Sequence, residues 1–121
     1  MLQIVPQMRI FAAREPVDFR RGIDGLAAEV RRLLDADPFS GGVFLFRNRS
    51  RNALKILVYD GSGFWLCHKR LSRGKLKWWP DEASSRHVSA QDLQVLLWNG
   101  DPSKAGCAPQ WRRVQPTFPN A

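Results

Sequence analysis

Residues 54–71 contain two apolar runs separated by a short segment with two glycines, and this arrangement constrains the fold more than any other feature. The runs 54–60 and 64–71 are rich in β-branched, aromatic and aliphatic residues, which is typical of strands. Asp60-Gly61-Ser62-Gly63 lies between them, and a two-residue loop with glycine first is typical of a type II′ hairpin. The resulting register pairs Tyr59 with Phe64, Leu57 with Leu66 and Lys55 with His68 on one face, and Val58 with Trp65 and Ile56 with Cys67 on the other.

Three further segments are candidate strands. Residues 42–46 form an apolar run before the hairpin, residues 75–79 would be a fourth strand after it, and residues 8–12 would be a short strand that pairs with this meander. Alternate turns of an up-and-down meander lie at the same end of the sheet. The loop 47–52 and the turn 72–74 would therefore share one end, and residues 60–63 would lie at the other.

Two segments have the spacing of amphipathic helices. The first follows Asp18, which we interpret as its N-cap. The second begins after Ser89, with Asp92 in a capping-box-like position, and Gly100 is its predicted C′ residue. The apolar stripes are formed by Ile23, Leu26, Ala27, Val30, Leu33 and Leu34 in the first helix and by Leu93, Leu96 and Leu97 in the second.

These elements predict an α+β fold, with an antiparallel meander of about four strands and two helices packed on one face. Residues 1–100 would form a single compact domain. Residues 101–121, with four of the eight prolines, would form an extended tail. Because both faces of the hairpin are apolar, we expect the face without helices to be a protein interface, for a second copy of the chain or for another partner.

The net charge of the chain lies in one segment. Residues 47–78 contain nine Lys or Arg residues and one acid, Asp60, which accounts for the whole formal excess of +8. The remaining residues hold ten basic and ten acidic side chains. In the predicted meander the basic residues converge on one end of the sheet and Asp60 lies at the other. A polyanion such as nucleic acid is therefore the expected partner.

The composition argues against several classes of protein. No apolar run approaches the ~20 residues of a membrane span, and we expect no signal peptide because the N-terminus lacks a long apolar core. Two cysteines make no disulfide framework, so a reducing cytoplasm is the expected compartment. No phosphate-binding loop or nucleophile elbow is present. Since Asp18, Asp60 and Asp92 are explained as cap or turn residues, we predict that the chain is not an enzyme.

A zinc site is the metal site that the sequence could most readily supply. Its candidate ligands are Cys67, His68, His87 and Cys107. They lack the CxxC or HxxxH pairs of small zinc sites, and adjacent strand residues point to opposite faces. No metal or other cofactor is therefore predicted.

Several motifs in one order resemble a known family. They read VDFRRGIDGL at 17–26, DPFSG at 37–41, FxFRNR at 44–49, LKIL at 54–57, DGxGFxL at 60–66 and KRLxxG at 69–74. Together, over about residues 9–100, they resemble the small TnpB accessory proteins of IS-sixty-six-type bacterial insertion sequences, which are distinct from the RNA-guided nucleases called TnpB. The chain departs from the usual pattern at Ser72, Leu76 and Trp78-Trp79, and at Trp98, where a polar residue is common.

The resemblance implies a function in transposition. By this resemblance the chain would be encoded beside a much larger DDE-type transposase and would assist transposition. The resemblance implies a bacterial cytoplasmic protein, with DNA, the cognate transposase and other element-encoded proteins as expected partners. Two alternatives to DNA binding remain open, an adaptor that docks on the transposase without contacting DNA and an RNA-binding regulator.

The basic segment is the candidate DNA-binding surface. No helix-turn-helix or zinc-finger motif is present, so we expect largely non-specific contacts with phosphates. Trp78 and Trp79 are candidates for base stacking, of which at most one would be free in a strand. Trp65 is expected in the core, opposite Val58. The predicted DNA-binding residues are Arg47, Arg49, Arg51, Lys55, Lys69, Arg70, Arg73, Lys75 and Lys77.

Overall fold

The computed structural model describes residues 8–80 and 87–102, in which a five-stranded sheet carries a helix on each face. The strand order is β4-β3-β2-β1-β5, and all neighbours are antiparallel except β1 and β2. The elements are β1 (Ile10–Ala12), α1 (Ile23–Leu34), β2 (Val43–Arg47), β3 (Ala53–Tyr59), β4 (Phe64–Arg70), β5 (His87–Val88) and α2 (Ala90–Leu97).

The hairpin of β3 and β4 has the predicted register, and every predicted cross-strand pair is present. The main-chain N–H of Asp60 donates to the carbonyl of Gly63 at 3.0 Å. Gly61 has a φ of 101°. A positive φ at the first loop residue is what a type II′ turn requires, and glycine adopts it without steric cost. The local sequence of the turn therefore sets the register of the whole hairpin.

The sheet is mixed, which corrects the purely antiparallel prediction. β1 pairs in parallel with β2, with Ile10 opposite Val43, and in antiparallel with β5. α1 lies in the connection between β1 and β2. A helical crossover of this kind returns the chain to the same end of the sheet, so the next strand starts parallel to the first.

The predicted fourth strand at 75–79 is wrong. This segment has no strand partner within the described ranges, and instead it packs on the sheet through Leu76 and Trp79, which are buried in the core. The indole Nε1 of Trp79 donates to the carbonyl of Ala13 at 2.7 Å. The apolar residues that suggested a strand are therefore explained by burial against the face of the sheet.

One face of the sheet is covered by α1. Leu26, Val30 and Leu34 of this helix are buried against Phe44, Phe46 and Leu57 of the sheet. The stripe of helical spacing predicted for α1 thus forms its buried side. Each such buried side chain stabilises the fold by about 1.5–3 kcal/mol relative to its exposed state.

The opposite face is covered by α2, which corrects the prediction that both helices pack on one face. Leu93 and Leu96 of α2 lie in the core formed by this face. The reason is visible in β2 and β3, where nearly every residue is buried and successive side chains point to opposite faces. Two apolar faces need two covering layers. The apolar face expected to be a protein interface is therefore largely filled by α2.

The ends of the helices differ from the sequence prediction in two places. α1 begins after Gly22, which makes no side-chain cap, while the carboxylate of Asp18 binds Arg20 instead. α2 begins at the predicted Ser89 cap, whose Oγ accepts the N–H of Asp92 at 3.0 Å. The C′ residue is Asn99 rather than Gly100, because α2 ends one residue earlier than expected.

Neither helix in residues 8–80 and 87–102 has the length and apolar character that crossing a membrane requires. Most of the predicted tail lies outside the described residues.

Candidate nucleic-acid interface

The loop between β2 and β3, residues 48–52, is organised by the side chain of Asn48. Its Oδ1 accepts the main-chain N–H groups of Asn52 at 3.0 Å and Ala53 at 3.2 Å. Arg51 has a φ of 60°, in the left-handed region, which costs a residue other than glycine about 1–2 kcal/mol. The loop presents Arg49 to solvent.

Residues 71–77 dock on this loop through hydrogen bonds along its length. Leu71 donates its N–H to the carbonyl of Asn52 at 2.9 Å, and Leu76 donates its N–H to that of Arg51 at 2.7 Å. Between them the Nζ of Lys75 donates to the carbonyl of Ser50 at 3.1 Å. The left-handed residue Arg51 therefore provides a carbonyl acceptor that holds residues 71–77 against the loop.

The C-terminal end of α2 joins the same surface through Asn99. The Oδ1 of Asn99 accepts the N–H of Lys77 at 2.9 Å, and its Nδ2 donates to the carbonyl of Lys75 at 3.3 Å. The Nζ of Lys69 donates to the carbonyl of Leu97, at the negative end of the helix dipole. Three segments that are distant in sequence thus meet at one end of the sheet.

This surface is called here the basic end. Its charge is of one sign along most of its length, because residues 38–59 and 61–80 contain no acid. Asp60 lies at the opposite end of β3, some seven residues of strand away. The basic end comprises Arg47, Arg49, Arg51, Lys69, Arg70, Arg73, Lys75 and Lys77.

Arg47 is partly buried among these cations. Its guanidinium donates to the carbonyl of Arg14 at 3.1 Å, and its Nε is buried without a partner among the described residues. Burial lowers the pKa of Arg47, and the nearby charges of Arg51 and Arg49 lower it further. An anion bound there would relieve the repulsion.

Lys55 does not belong to the surface, although the sequence analysis included it among the DNA-binding residues. It is 6% exposed. Its Nζ donates to the carbonyls of Phe19 at 2.9 Å and Arg21 at 3.1 Å, and lies 4.9 Å from the centre of the Phe19 ring. Lys55 therefore fastens the segment before α1 to the sheet, and no phosphate can reach it.

Four of the predicted cations remain fully available. Within residues 8–80 and 87–102 their side chains make no hydrogen bond or ion pair, and all are exposed. They are Arg49, Arg70, Arg73 and Lys77.

A recess of about 360 Å³ borders the basic end beside Arg49. Its lining includes Asn48 and residues 16–20, from the segment that precedes α1. Asp18 lies in this lining, but its carboxylate accepts three hydrogen bonds from the Arg20 guanidinium and one from the Arg20 N–H. These contacts lower the pKa of Asp18 to about 2, so its charge is paired within the loop.

Comparison with known proteins assigns the chain to a family. The model of the family described as "IS66 Orf2 like protein" matches residues 8–105. The chain belongs to this family. Membership in the IS66 Orf2-like family indicates an accessory role in the transposition of insertion sequences, and the family is not known for an enzymatic activity.

Two relatives come from Sinorhizobium fredii (strain NBRC 101917 / NGR234). The uncharacterized protein y4jC is 40% identical over 90 residues, which is 74% of this chain and 77% of that protein. The uncharacterized protein y4hO is 34% identical over 118 residues, or 98% of this chain and 95% of that protein. No solved structure matches the chain significantly.

The tryptophans of this IS66 Orf2-like protein are arranged differently from the prediction. Trp79, a stacking candidate, is 7% exposed, and Trp78 packs half-buried against the α2 side of the core. Trp65, expected in the core, is 56% exposed because it lies on the outer strand β4 beyond the reach of α2, and Trp98 is 86% exposed. In the sequence, the one signal that singled out Trp98 was its departure from the usual pattern of the family.

The candidate zinc ligands are not assembled in the described part of the chain. The described residues contain no group of three or more His, Cys, Asp or Glu side chains placed to hold a metal. Cys67 and His68 point to opposite faces of β4, where His68 contacts the Phe19 ring. His87 lies in β5, at the other edge of the sheet. Cys107 lies outside the described residues.

Proposed function

We propose that this protein is a non-enzymatic accessory factor of transposition that binds DNA phosphates through the basic end. The observation that carries the proposal is that the basic loop 48–52 and the basic segment 71–77 are joined by hydrogen bonds at one end of the sheet, within ranges 38–59 and 61–80 that contain no acid. Lys and Arg side chains that neutralise phosphates release counterions, so binding of this kind is strong at low salt and weak at high salt.

The arrangement favours largely non-specific binding. The exposed cations are carried by loops and by the end of β4, while both helices are packed on the sheet through their apolar sides. Reading of bases in the major groove normally requires a helix or a β-ribbon that projects into it. The basic end would therefore position the protein on the DNA backbone, and target choice would rest with a partner.

The test is binding to a fluorescein-labelled 20-base-pair duplex, followed by anisotropy across a salt series. The variant Arg49→Ala/Arg73→Ala removes two charges from the basic end. Its matched control, Arg9→Ala/Arg31→Ala, removes two charges elsewhere, since Arg9 precedes β1 and Arg31 lies in the last turn of α1. Each lost phosphate contact should reduce the slope of log K against log salt by about 0.9, so the first variant should lose about 2 and the control none.

If both variants lost the same amount of salt slope, overall charge would explain the binding, and the basic end would not be the site. Absence of duplex binding by the natural chain at low salt would overturn DNA binding altogether.

A second candidate function, docking on the cognate transposase, is favoured by an aromatic cluster at the opposite end of the sheet. Phe39, 51% exposed, has its ring centre 4.9 Å from that of Tyr59 and 5.1 Å from that of Phe64. Exposed aromatic side chains are enriched at protein interfaces. Under this proposal Phe39→Ser lowers co-purification with nuclease-treated transposase and leaves duplex binding unchanged. Retained co-purification in that variant would argue against this surface.

A further inference from the structure

We propose that Trp98 is a stacking site for an unpaired base, so that the basic end takes single-stranded DNA as well as duplex. This inference rests on the proposed function, because phosphate binding at the basic end brings the strand to the indole. Trp98 has the largest exposure, 86%, of the exposed large hydrophobic residues in the described ranges.

The backbone beneath Trp98 is held firmly. Trp98 is the C-cap of α2, and its N–H donates to the carbonyls of Gln94 at 3.3 Å and Val95 at 3.2 Å. The next two N–H groups, of Asn99 and Gly100, each close a bond of 2.8 Å back to the helix, on Leu96 and Val95. This is the Schellman pattern, with Asn99 in the left-handed conformation at a φ of 58°. With the backbone fixed, only the two χ angles of the indole remain to be ordered when a base covers it.

The two residues that flank Trp98 in the chain are each bonded to a basic residue of the basic end. The Nζ of Lys69 binds the carbonyl of Leu97, the residue before Trp98. The side chain of Asn99, the residue after it, binds the main chain of Lys75 and Lys77. A π-face between basic side chains is the arrangement with which proteins hold single strands, because the charges follow the backbone and the ring stacks on a base.

Trp65 is an exposed indole that does not lie at the basic end, and it serves as a comparison. Its Nε1 donates to the carboxylate of Asp60 at 2.8 Å, at the end of the sheet that carries the lone acid of the segment. That carboxylate repels phosphate and holds the indole by its edge. Of these two exposed tryptophans, Trp98 is therefore the one that adjoins the basic end.

Single-stranded DNA is the occupant that the geometry favours over duplex. The bases of a duplex are already stacked on each other, so an indole gains a base face only where a base is unpaired. The four available cations and Trp98 share one end of the molecule, and a strand can follow the cations while placing one base on the ring.

The experiment compares Trp98→Ala, Trp98→Phe and Trp65→Ala for binding to a labelled dT12 strand and to a 12-base-pair duplex at one fixed low salt concentration. Alanine substitution of a stacking aromatic costs roughly five- to 150-fold in affinity. Trp98→Ala should show a loss in that range on dT12 and less than twofold on the duplex. Trp98→Phe should retain most of the affinity, and Trp65→Ala should bind dT12 like the natural chain.

The outcomes separate the two proposals. Steep, salt-dependent duplex binding together with unchanged dT12 affinity in Trp98→Ala overturns the stacking site alone. An equal loss on dT12 in Trp65→Ala also overturns it, because the placement of the indole would then be irrelevant. No binding of either DNA by the natural chain overturns both proposals. At least tenfold tighter binding of the RNA U12 than of dT12 overturns the assignment to DNA.

Discussion

The two ends of the sheet are built in different ways. At the basic end, hydrogen bonds join residues 22, 25 and 28 positions apart in the chain. At the turn end, which comprises residues 60–65 with Phe39 and Tyr59, the carboxylate of Asp60 accepts bonds from residues two, three and five positions away. The hydrogen bonds of the turn are therefore local to the hairpin, whereas the basic end exists only after segments distant in the chain have folded together.

This difference bears on function. A charged surface assembled from three segments is lost as soon as any one of them detaches, so DNA binding should report on global folding. The aromatic surface at the turn end depends mostly on β3, β4 and residue 39, and it should tolerate local damage at the basic end. Variants that weaken one end and spare the other give the clearest tests.

The largest expected effect comes from Lys55→Ala, at the base of the basic end. The substitution leaves the carbonyls of Phe19 and Arg21 without their donor and removes a buried side chain. We expect the free energy of unfolding to fall by about 2–4 kcal/mol, measured by urea denaturation. Lys77→Ala, an exposed control, should stay within about 0.5 kcal/mol. A stable Lys55→Ala variant with weakened DNA binding would contradict the structural role.

A smaller effect is expected from Asn99→Ala, which detaches α2 from residues 75–77. It removes two side-chain hydrogen bonds and places alanine in the left-handed region. The expected loss of stability is about 1–2 kcal/mol, with reduced duplex affinity. Asn99→Gly keeps the left-handed conformation and removes only the side-chain bonds, so it should fall between the natural chain and the alanine variant. Equal stability of all three would deny that Asn99 joins the segments.

The turn end should instead respond to pH. The pKa of Asp60 is lowered to about 2 by hydrogen bonds that its carboxylate accepts. The donors are the N–H of Ser62, the indole of Trp65, the hydroxyl of Ser62 and the N–H of Gly63. A lowered folded-state pKa stabilises the fold above the unfolded-state value near 4, and this contribution is lost as pH falls from about 4 to 2. Asp60→Asn should flatten the decline of thermal stability over that interval and leave the salt slope of duplex binding unaltered. A decline identical to that of the natural chain would exclude this contribution.

The smallest change in stability is expected from Arg73→Ala. Arg73 is exposed, and its side chain has no hydrogen bond or ion pair within residues 8–80 and 87–102. Its removal should alter the free energy of unfolding by less than about 0.5 kcal/mol while lowering the salt concentration at which the protein elutes from heparin. An unchanged elution position would remove Arg73 from the anion-binding surface.

Much of the fold was predictable where neighbours in sequence are neighbours in space. The register of β3 and β4 follows from Gly61, and the buried stripe of α1 follows from helical spacing. The parallel pairing of β1 with β2 was missed because it depends on where α1 returns the chain. The strand predicted at 75–79 was wrong because Leu76 and Trp79 pack on the face of the sheet instead of pairing with a strand. Composition alone does not distinguish an apolar segment that covers a sheet from one that forms a strand in it.

The candidate site was also predictable only where connectivity along the chain decides which segments are neighbours. The meander places the loop at 48–52 and the turn at 72–74 at one end, and the hydrogen bonds of Lys75 and Leu76 confirm that neighbourhood. Lys55 was predicted on the surface with the other cations, and Trp78 and Trp79 were the predicted stacking residues. Neither placement could be read from the sequence, since the exposure of a side chain depends on what packs nearby and not on residue type.

The sequence by itself determined the family, the hairpin, the two helices and the segregation of charge. These follow from local turn geometry, periodicity and composition, which act over a few residues. Only the tertiary structure decided which cations are available, which indole is exposed and which face each helix covers. Those outcomes depend on contacts between segments separated by 22 or more positions, such as Lys77 with Asn99 and Lys55 with the carbonyls of Phe19 and Arg21. A buried amine bonded to two carbonyls and an exposed amine at the basic end are the same residue type in the sequence, and the difference between them is packing.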